Sequence, residues 1–382
     1  MSDSLKIALV LDRFEPGQGG LESWTDGLAN WLVRRGHGVY VLCFGGATKN
    51  PAIGLRVLDG AGGPLARAAT VARELSRLSV DIVHDTGTTD RADVFQPQTG
   101  SRLINAELDV AARSAWLRLY SRLSPNFRRW RHEVEALERR QFADPSRLIA
   151  ISCMVRDQIA ARYRLDAARI AVVYNGVDAD RFAAKRLATL RAPARSRWSL
   201  DGTTVFLVVG HNFHLKGVGT ALRALGRLKA ETPGIRLIVA GAGDIRGYGR
   251  LASRLGVASQ VRFLGQLERI EEAYAAADVA LHPTHYDACS LATLEGLASG
   301  LPTITTRANG AGELIVSGKQ GILLDISSDV DALARAMKRM LDPDLRGPMG
   351  RAARTLGLAH GIADNYLAIE TFYRQLPARR PA

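Results

Sequence analysis

Along most of the chain, short apolar runs alternate with stretches in which large apolar residues recur at helical spacing. Residues 6–11, 39–44, 55–58 and 81–84 are apolar runs bounded by turn residues and read as strands. Between them Leu21, Trp24, Leu28, Trp31 and Leu32 keep the helical period, as does the segment 65–78. Strands are expected again at 147–151 and 169–174, around a helix capped by Ser152 that carries Val155, Ile159 and Tyr163. A second series starts at 204–209 and continues with strands at 236–240, 261–264, 279–281 and 302–306. Strands alternating with helices predict an α/β protein with doubly wound parallel sheets. A chain of 382 residues is long enough for two domains, each with its own core. The basic stretch 183–202 holds Pro193 and has little periodicity, so it is expected to link a domain at 1–182 to one at 203–358. Helices are expected at 328–341 and 344–374.

The stretch from Asp278 to Gly300 concentrates the chemistry. Val279, Ala280 and Leu281 form an apolar run that Pro283 ends. Ser290 then opens a helix carrying Leu291, Leu294, Leu297 and Ala298, which Gly300 and Pro302 stop. In an open parallel sheet the turn between such a strand and helix lies at the carboxyl edge, where ligands bind. The helix presents free N–H groups and the positive end of its dipole there, which suits a phosphate. Asp287 and Glu295 frame the turn. A carboxylate accepts hydrogen bonds from two hydroxyls at once, which suits a sugar or a ribose. Spacing alone leaves a second reading open, in which Asp287 caps a turn and Glu295 is a solvated helix residue.

Other turns carry candidate chemistry. Gly19 and Gly20 separate the first strand from the first helix, where backbone can approach an anion closely. Lys216 lies in the turn from Gly210 to Gly217 and offers a point charge for a diphosphate. Gly241-Ala-Gly243 looks like a dinucleotide turn, but it falls mid-chain and no acid ends a strand ~20 residues later. Asp-x-Asp triplets at Asp178, Asp329 and Asp342 could hold a divalent ion. Aspartates at such helix boundaries are common caps, so no metal is expected.

The net charge is +13. Segment 111–132 has six arginines and no acid, and is interleaved with Trp116, Leu117, Leu119, Tyr120, Leu123, Phe127 and Trp130. A basic helix with large apolar residues suits an anionic bilayer surface. The expected membrane contacts are Arg113, Trp116, Arg118, Tyr120, Arg122, Phe127, Arg128, Arg129 and Trp130. No helix-turn-helix, zinc-finger or RNP-type signature is present, so nucleic acid is not an expected partner. The three cysteines have no metal or framework spacing. With no apolar run of spanning length and a polar start leading into a strand, the expected location is cytoplasmic, peripheral on the inner face of the cell membrane.

Residues 287–302, DACSLATLEGLASGLP, resemble the acid-x7-Glu signature of family 4 glycosyltransferases, with Asp287 where the family usually has Glu. Similar matches follow along the chain. They are Gly19-Gly20 with Glu22, Ala92-Asp93-Val94, the link from Asn175 to Phe182, Lys216-Gly217, the Gly241 turn, the loop after Gly265, and Asn309 to Glu313. His211 stands where the family usually has Arg. The likeness is strongest to the branch that builds lipopolysaccharide core. It implies a GT-B fold, two Rossmann-like domains with parallel sheets facing a deep interdomain cleft, with residues 359–382 crossing back to the first domain through Tyr366, Ile369 and Phe372. It implies a retaining, metal-independent hexosyl- or heptosyltransferase with no cofactor, using a nucleotide-sugar donor (UDP foremost) and a glycolipid or lipopolysaccharide acceptor. Asp93, Lys216 and Asp287 would be catalytic. Gly19, Gly20, His211, Lys216, Gly241, Gly265, Asp287, Ala288, Cys289, Ser290, Leu291 and Glu295 would bind the donor. The alternative is a non-catalytic sugar-nucleotide-binding protein of the same fold.

Overall fold

The structure is a computed structural model that describes residues 4–15, 19–111, 113 and 115–376, and it divides into two compact units. One unit takes in residues up to Val173 and again from Tyr366, and the other is Tyr174–Asn365.

The first unit opens with β1 (Lys6–Val10), α1 (Gly20–Arg34), β2 (Gly38–Cys43), β3 (Ile53–Val57), α2 (Pro64–Leu75), β4 (Ile82–Asp85) and β5 (Val94–Phe95). Helices α3 (Arg102–Ala111), α4 (Ala115–Leu123) and α5 (Pro125–Gln141) follow, then β6 (Ile149–Ala150), α6 (Cys153–Tyr163) and β7 (Ala171–Val172). All strand pairs are parallel, in the order β3-β2-β1-β4-β5. Phe95 bridges to Leu148, beside the parallel pair β6-β7. Ile7, Ala8 and Val10 are fully buried, as expected of a central parallel strand covered on both faces.

The second unit holds α7 (Ala184–Arg197), β8 (Thr204–Val209), α8 (Val218–Leu228), β9 (Ile235–Ala240), α9 (Ile245–Leu255), β10 (Val261–Gly265), α10 (Glu271–Ala276), β11 (Val279–His282) and α11 (Leu291–Ala298). It continues with β12 (Thr303–Thr306), β13 (Gly321–Leu324), α12 (Val330–Arg339), α13 (Pro343–Leu358) and α14 (Ile362–Gln375), whose last turns belong to the first unit. Its six parallel strands run β10-β9-β8-β11-β12-β13. Counted from its own first strand this order is 3-2-1-4-5-6, the doubly wound Rossmann arrangement, and its order reverses between β8 and β11. One core cluster joins Phe206, Leu237, Val239 and Leu281, on one face of the sheet, to Leu222 and Leu225 of α8.

Three expectations about the chain's layout are corrected. The stretch expected as a linker, 183–202, is mostly the helix α7, and the boundary between units falls at Val173. Its buried face is built from arginine as well as alkyl side chains, which hides the period. Arg191 and Arg195 reach Asp278 at 2.6 and 3.3 Å, and Arg186 reaches Glu271 at 2.9 Å. The single helix expected at 344–374 is two, α13 and α14, parted after Leu358. On α14 the buried residues are Asn365, Tyr366, Ile369, Glu370 and Tyr373, so Tyr373 takes the place expected of Phe372. Within the first unit Glu370 meets His37 Nε2 and Arg35 Nε at 3.2 Å each, and Tyr373 Oη lies 2.5 Å from His84 Nδ1.

Candidate active site

The order reversal of the second sheet sits between the loops that follow β8 and β11. Lys216 is on the first loop and Asp287 on the second. Lys216 Nζ donates to Asp287 Oδ2 at 2.5 Å, and His282 Nε2 lies 2.9 Å from the same oxygen. Burial alone would raise the Asp287 carboxyl, but the Lys216 charge and the His282 hydrogen bond hold it well below the usual carboxylate range. Burial, with the Lys216 charge added, lowers the pKa of His282, so a neutral ring donates from Nε2. Its Nδ1 is buried without a partner.

Backbone geometry brings the loops together. Gly217, at φ +72°, starts α8 so close to Pro283 O that a Cβ would collide with it. Thr284 Oγ1 and His285 N both donate to Leu215 O at 2.8 Å. The second loop is tied in turn to the glycine loop after β12, where Asp287 N donates to Ala308 O at 2.9 Å and Gly310 N to Asp287 O at 2.8 Å.

Asn309 is the staple of this arrangement. Fully buried, it accepts from Ser290 N at 3.3 Å and Ala311 N at 3.1 Å, and donates to Thr293 Oγ1 at 2.9 Å and Thr305 Oγ1 at 3.0 Å. Ser290 caps α11 by accepting from Thr293 N at 3.2 Å. The helix start is thereby fixed beside Asp287, with the backbone N–H groups of Leu291 and Ala292 beginning the helix. Ala288, Cys289 and Ser290 are buried beneath it. Cys289 O accepts from Asn175 Nδ2 at 3.0 Å, and burial pushes its thiol up to about 12, which makes it packing rather than a nucleophile.

Glu295 lies on the second turn of α11, partly buried. Tyr274 Oη donates to its Oε2 at 2.8 Å. Burial pushes the carboxyl up to about 7, against the pull of that hydrogen bond and of the nearby Arg181 charge. The sequence reading missed Tyr274, Arg181 and His282. None stands in a spacing pattern, since each comes from a separate element and joins the site only through the fold.

The remaining expected residues are placed as follows. Gly241 and Gly265 meet through Gly241 N and Gly265 O at 2.7 Å, at the ends of β9 and β10. Leu291 is the first residue of α11. His211 is exposed at the tip of the loop after β8. Gly19 and Gly20 begin α1 in the first unit. Asp93 lies just before β5, where its Oδ2 accepts from Val83 N at 2.8 Å and fills a place in the sheet ladder. The Asp-x-Asp triplets are backbone caps, with Asp178, Asp329 and Asp342 accepting from Asp180 N, Ala332 N and Asp344 N. Among the described residues no group of three or more His, Cys, Asp or Glu could hold a metal ion.

The basic, aromatic segment 111–132 is exposed in part. Leu119, Tyr120 and Leu123 on α4 are 59, 68 and 63% exposed. Arg118 and Arg128 are also exposed. Arg113 and Arg129, by contrast, pair with Asp109 at 2.6 Å and Glu133 at 3.0 Å, acids that flank the segment. Phe127 and Trp130 stack on each other, centroids 5.8 Å apart, and are partly buried. The side chains of Trp116 and Arg122 lie outside the described residues. No helix among the described residues is long and apolar enough to cross a membrane.

Residues 194–356, which contain Lys216, Asp287 and Glu295, match the family described as Glycosyl transferases group 1, and residues 107–181 match Glycosyltransferase Family 4. Over these two segments the chain resembles the glycosyltransferases of group 1 and family 4. Among curated family relatives, a GDP-mannose-dependent alpha-(1-6)-phosphatidylinositol monomannoside mannosyltransferase of Mycolicibacterium smegmatis is 29% identical, with 94% of each chain covered. Glycogen synthase of Mycobacterium tuberculosis is 32% identical over 65% of this chain, which spans 60% of that protein's length. Of solved structures, WaaG, a glycosyltransferase involved in lipopolysaccharide biosynthesis, has a TM-score of 0.82 at 23% identity, covering 97% of this chain and 100% of its own. Anabaena HepE in complex with UDP and glucose gives 0.72 at 19% identity, with 97% and 100% covered. These likenesses place the two units in the GT-B fold.

Proposed function

We propose that this chain is a retaining, metal-independent glycosyltransferase that moves a sugar from a nucleotide-sugar donor to a glycolipid acceptor of lipopolysaccharide type. The observation that carries the reading is the Lys216–Asp287 pair at the capped start of α11. Incoming diphosphate oxygens would take over Lys216 and the α11 N–H groups, and the freed Asp287 carboxylate would accept hydroxyls of the donor sugar. Glu295, ionised once its ribose hydroxyls arrive, would hold the nucleoside. Attack occurs on the face the diphosphate leaves. The C1–O bond to phosphate breaks with its electron pair going to the phosphate oxygen, the acceptor oxygen bonds C1 on the same side, and the acceptor proton passes to the departing phosphate. Lys216 and the helix dipole stabilise the charge that develops there.

UDP is the first nucleotide to test because HepE binds it, and GDP the second because the mycobacterial mannosyltransferase is GDP-mannose-dependent. The exposed Leu119, Tyr120 and Leu123, beside Arg118, support peripheral contact with an anionic membrane at the cytoplasmic face. The test is binding and turnover of UDP-, GDP- and ADP-sugars with EDTA present. One donor should bind, and Glu295→Ala should weaken it about 10- to 100-fold, as loss of a hydrogen bond to a charged group does. Binding without any transfer or hydrolysis would favour the non-catalytic reading. Binding of no donor, or undiminished binding by the variant, would remove the assignment of this site.

A further inference from the structure

The second unit has a basic groove at the end of its sheet away from the donor loops. Its volume is about 440 Å³, within the roughly 300–1,000 Å³ of small-molecule sites. Asp278 immediately precedes β11 and Pro302 precedes β12, and both line the groove, which therefore sits at the amino edge of those strands. Lys216 and Asp287 are on loops that leave the opposite, carboxyl edge. Helix α11 spans the gap. It starts beside Asp287 and ends at the Gly300 turn, another wall of the groove.

Four arginines line this groove, Arg191, Arg346, Arg351 and Arg354, against one carboxylate, Asp278. That carboxylate is already used. It accepts Arg191 Nη2 at 2.6 Å, Arg195 Nη1 at 3.3 Å and Val205 N at 2.8 Å. The other three arginines come from α13, where helical spacing puts them on one face with Gly347 and Gly350. A Cβ at Gly350 would collide with Gly300 O, so this glycine lets α13 settle onto the turn after α11. A Cβ at Gly347 would meet only Arg351 Nη1, at 3.7 Å, so the groove stays open there. Arg346 gives Nη1 to Met340 O at 3.0 Å and Thr204 Oγ1 at 3.1 Å, and Arg354 gives Nη1 to Ala298 O at 2.8 Å and Phe182 O at 3.2 Å. These bonds fix both guanidinium groups and leave Nε and Nη2 of each in reserve. Among the described residues none of the three has an acid partner, and the exposed Arg351 side chain makes no hydrogen bond.

We propose that this groove binds a diphosphate group through Arg346, Arg351 and Arg354. Planar guanidinium forks suit phosphate oxygens. The walls carry an excess of three positive charges. A single phosphate ester supplies about −1.5 to −2, so two linked phosphates balance the groove better than one. No aromatic side chain lines it, so nothing there stacks on a base, and the diphosphate is read whatever group it carries. This site is separate from the donor site and does not depend on the transferase reading.

Pyrophosphate, inorganic phosphate, ADP and UDP are titrated calorimetrically into the full chain. Pyrophosphate should bind at two places, the groove and the Lys216 site. Arg351→Ala should weaken the groove event about tenfold or more and leave the other unchanged. Arg346→Lys should do the same, because lysine cannot reproduce the fork. Arg335→Ala removes an equal charge from an exposed position on α12 and should change neither event. Melting curves establish that each variant folds. ADP and UDP should bind the groove alike. Pyrophosphate binding there much tighter than ADP would assign the free anion as the ligand, and equal binding would assign any terminal diphosphate. Binding that survives both Arg351→Ala and Arg346→Lys, or that Arg335→Ala weakens as much, would overturn the proposal. So would inorganic phosphate bound in the groove as tightly as pyrophosphate. A single event, lost in Arg351→Ala, would sink the donor-site reading and leave this one.

Discussion

The two sheets reverse their strand order at aspartates whose charges are controlled in opposite ways. Asp85 ends β4 in the first unit. Its carboxyl receives Gly87 N, Thr88 N and Thr89 N at 2.8–3.0 Å and Gln141 Nε2 at 3.2 Å. Burial outweighs those dipoles and the weaker pull of the Arg102 charge, and pushes it up to about 7. Asp287 follows β11 in the second unit and is also enclosed, yet Lys216 and His282 reverse the effect of burial and hold it ionised. Amide dipoles soften the cost of burial, while a full positive charge a few ångströms away overturns it. Asp85 therefore organises its own loop, and Asp287 is a fixed negative charge already balanced by the cation a diphosphate would claim.

Replacing Lys216 tests that contrast most severely. Lys216→Ala should make Asp287 resemble Asp85, with a raised carboxyl pKa. Donor affinity should drop by about two orders of magnitude, and stability by about 3 kcal/mol for a buried charge left alone. Adding Asp287→Asn should return most of the stability and none of the binding. Urea unfolding and donor titration on the single and double variants read this out, and a neutral Lys216→Ala would show that the pair does not govern the site.

Next in size is the staple. Asn309→Ala strands two threonine hydroxyls and two backbone N–H groups, and should cost about 3 kcal/mol in unfolding free energy. Donor binding should weaken with it because α11 loses its fixed start. Unchanged stability would mean that the loops of the second unit hold themselves, as the Asp85 loop does.

The smallest effect concerns Glu295. Its folded pKa of about 7 lies above the ordinary value of about 4.3, so the folded state binds the proton more tightly. The stabilisation is complete below pH ~4.3 and is lost as pH rises through 7. Unfolding measured from pH 5 to 8 should show Glu295→Gln escaping a loss of about 1–2 kcal/mol, discounted because the group is partly exposed. Donor binding by the parent chain should strengthen as pH rises through 7, since the ionised carboxylate is the better hydroxyl acceptor. A pH profile unchanged by Glu295→Gln would return this residue to an ordinary helix position.

Much of this protein is legible along the chain. Apolar runs bounded by glycine and proline mark the strands, because a strand buried on both faces needs continuous apolar side chains, and the alternation with helical periods dictates parallel winding. The Ser290 cap and the framing of the turn by Asp287 and Glu295 are likewise local, set by a few adjacent residues. What only the tertiary structure decided are the partnerships over long separations. Lys216 finds Asp287, Tyr274 finds Glu295, and Asn309 joins two loops. The arginines of α7 turn an apparent linker into a packed helix, and Val83 N donates to the Asp93 carboxylate ten residues on. No periodicity encodes these, because a carboxylate's role depends on which charge or N–H group lies within about 3 Å of it, and folding brings that neighbour from elsewhere in the chain.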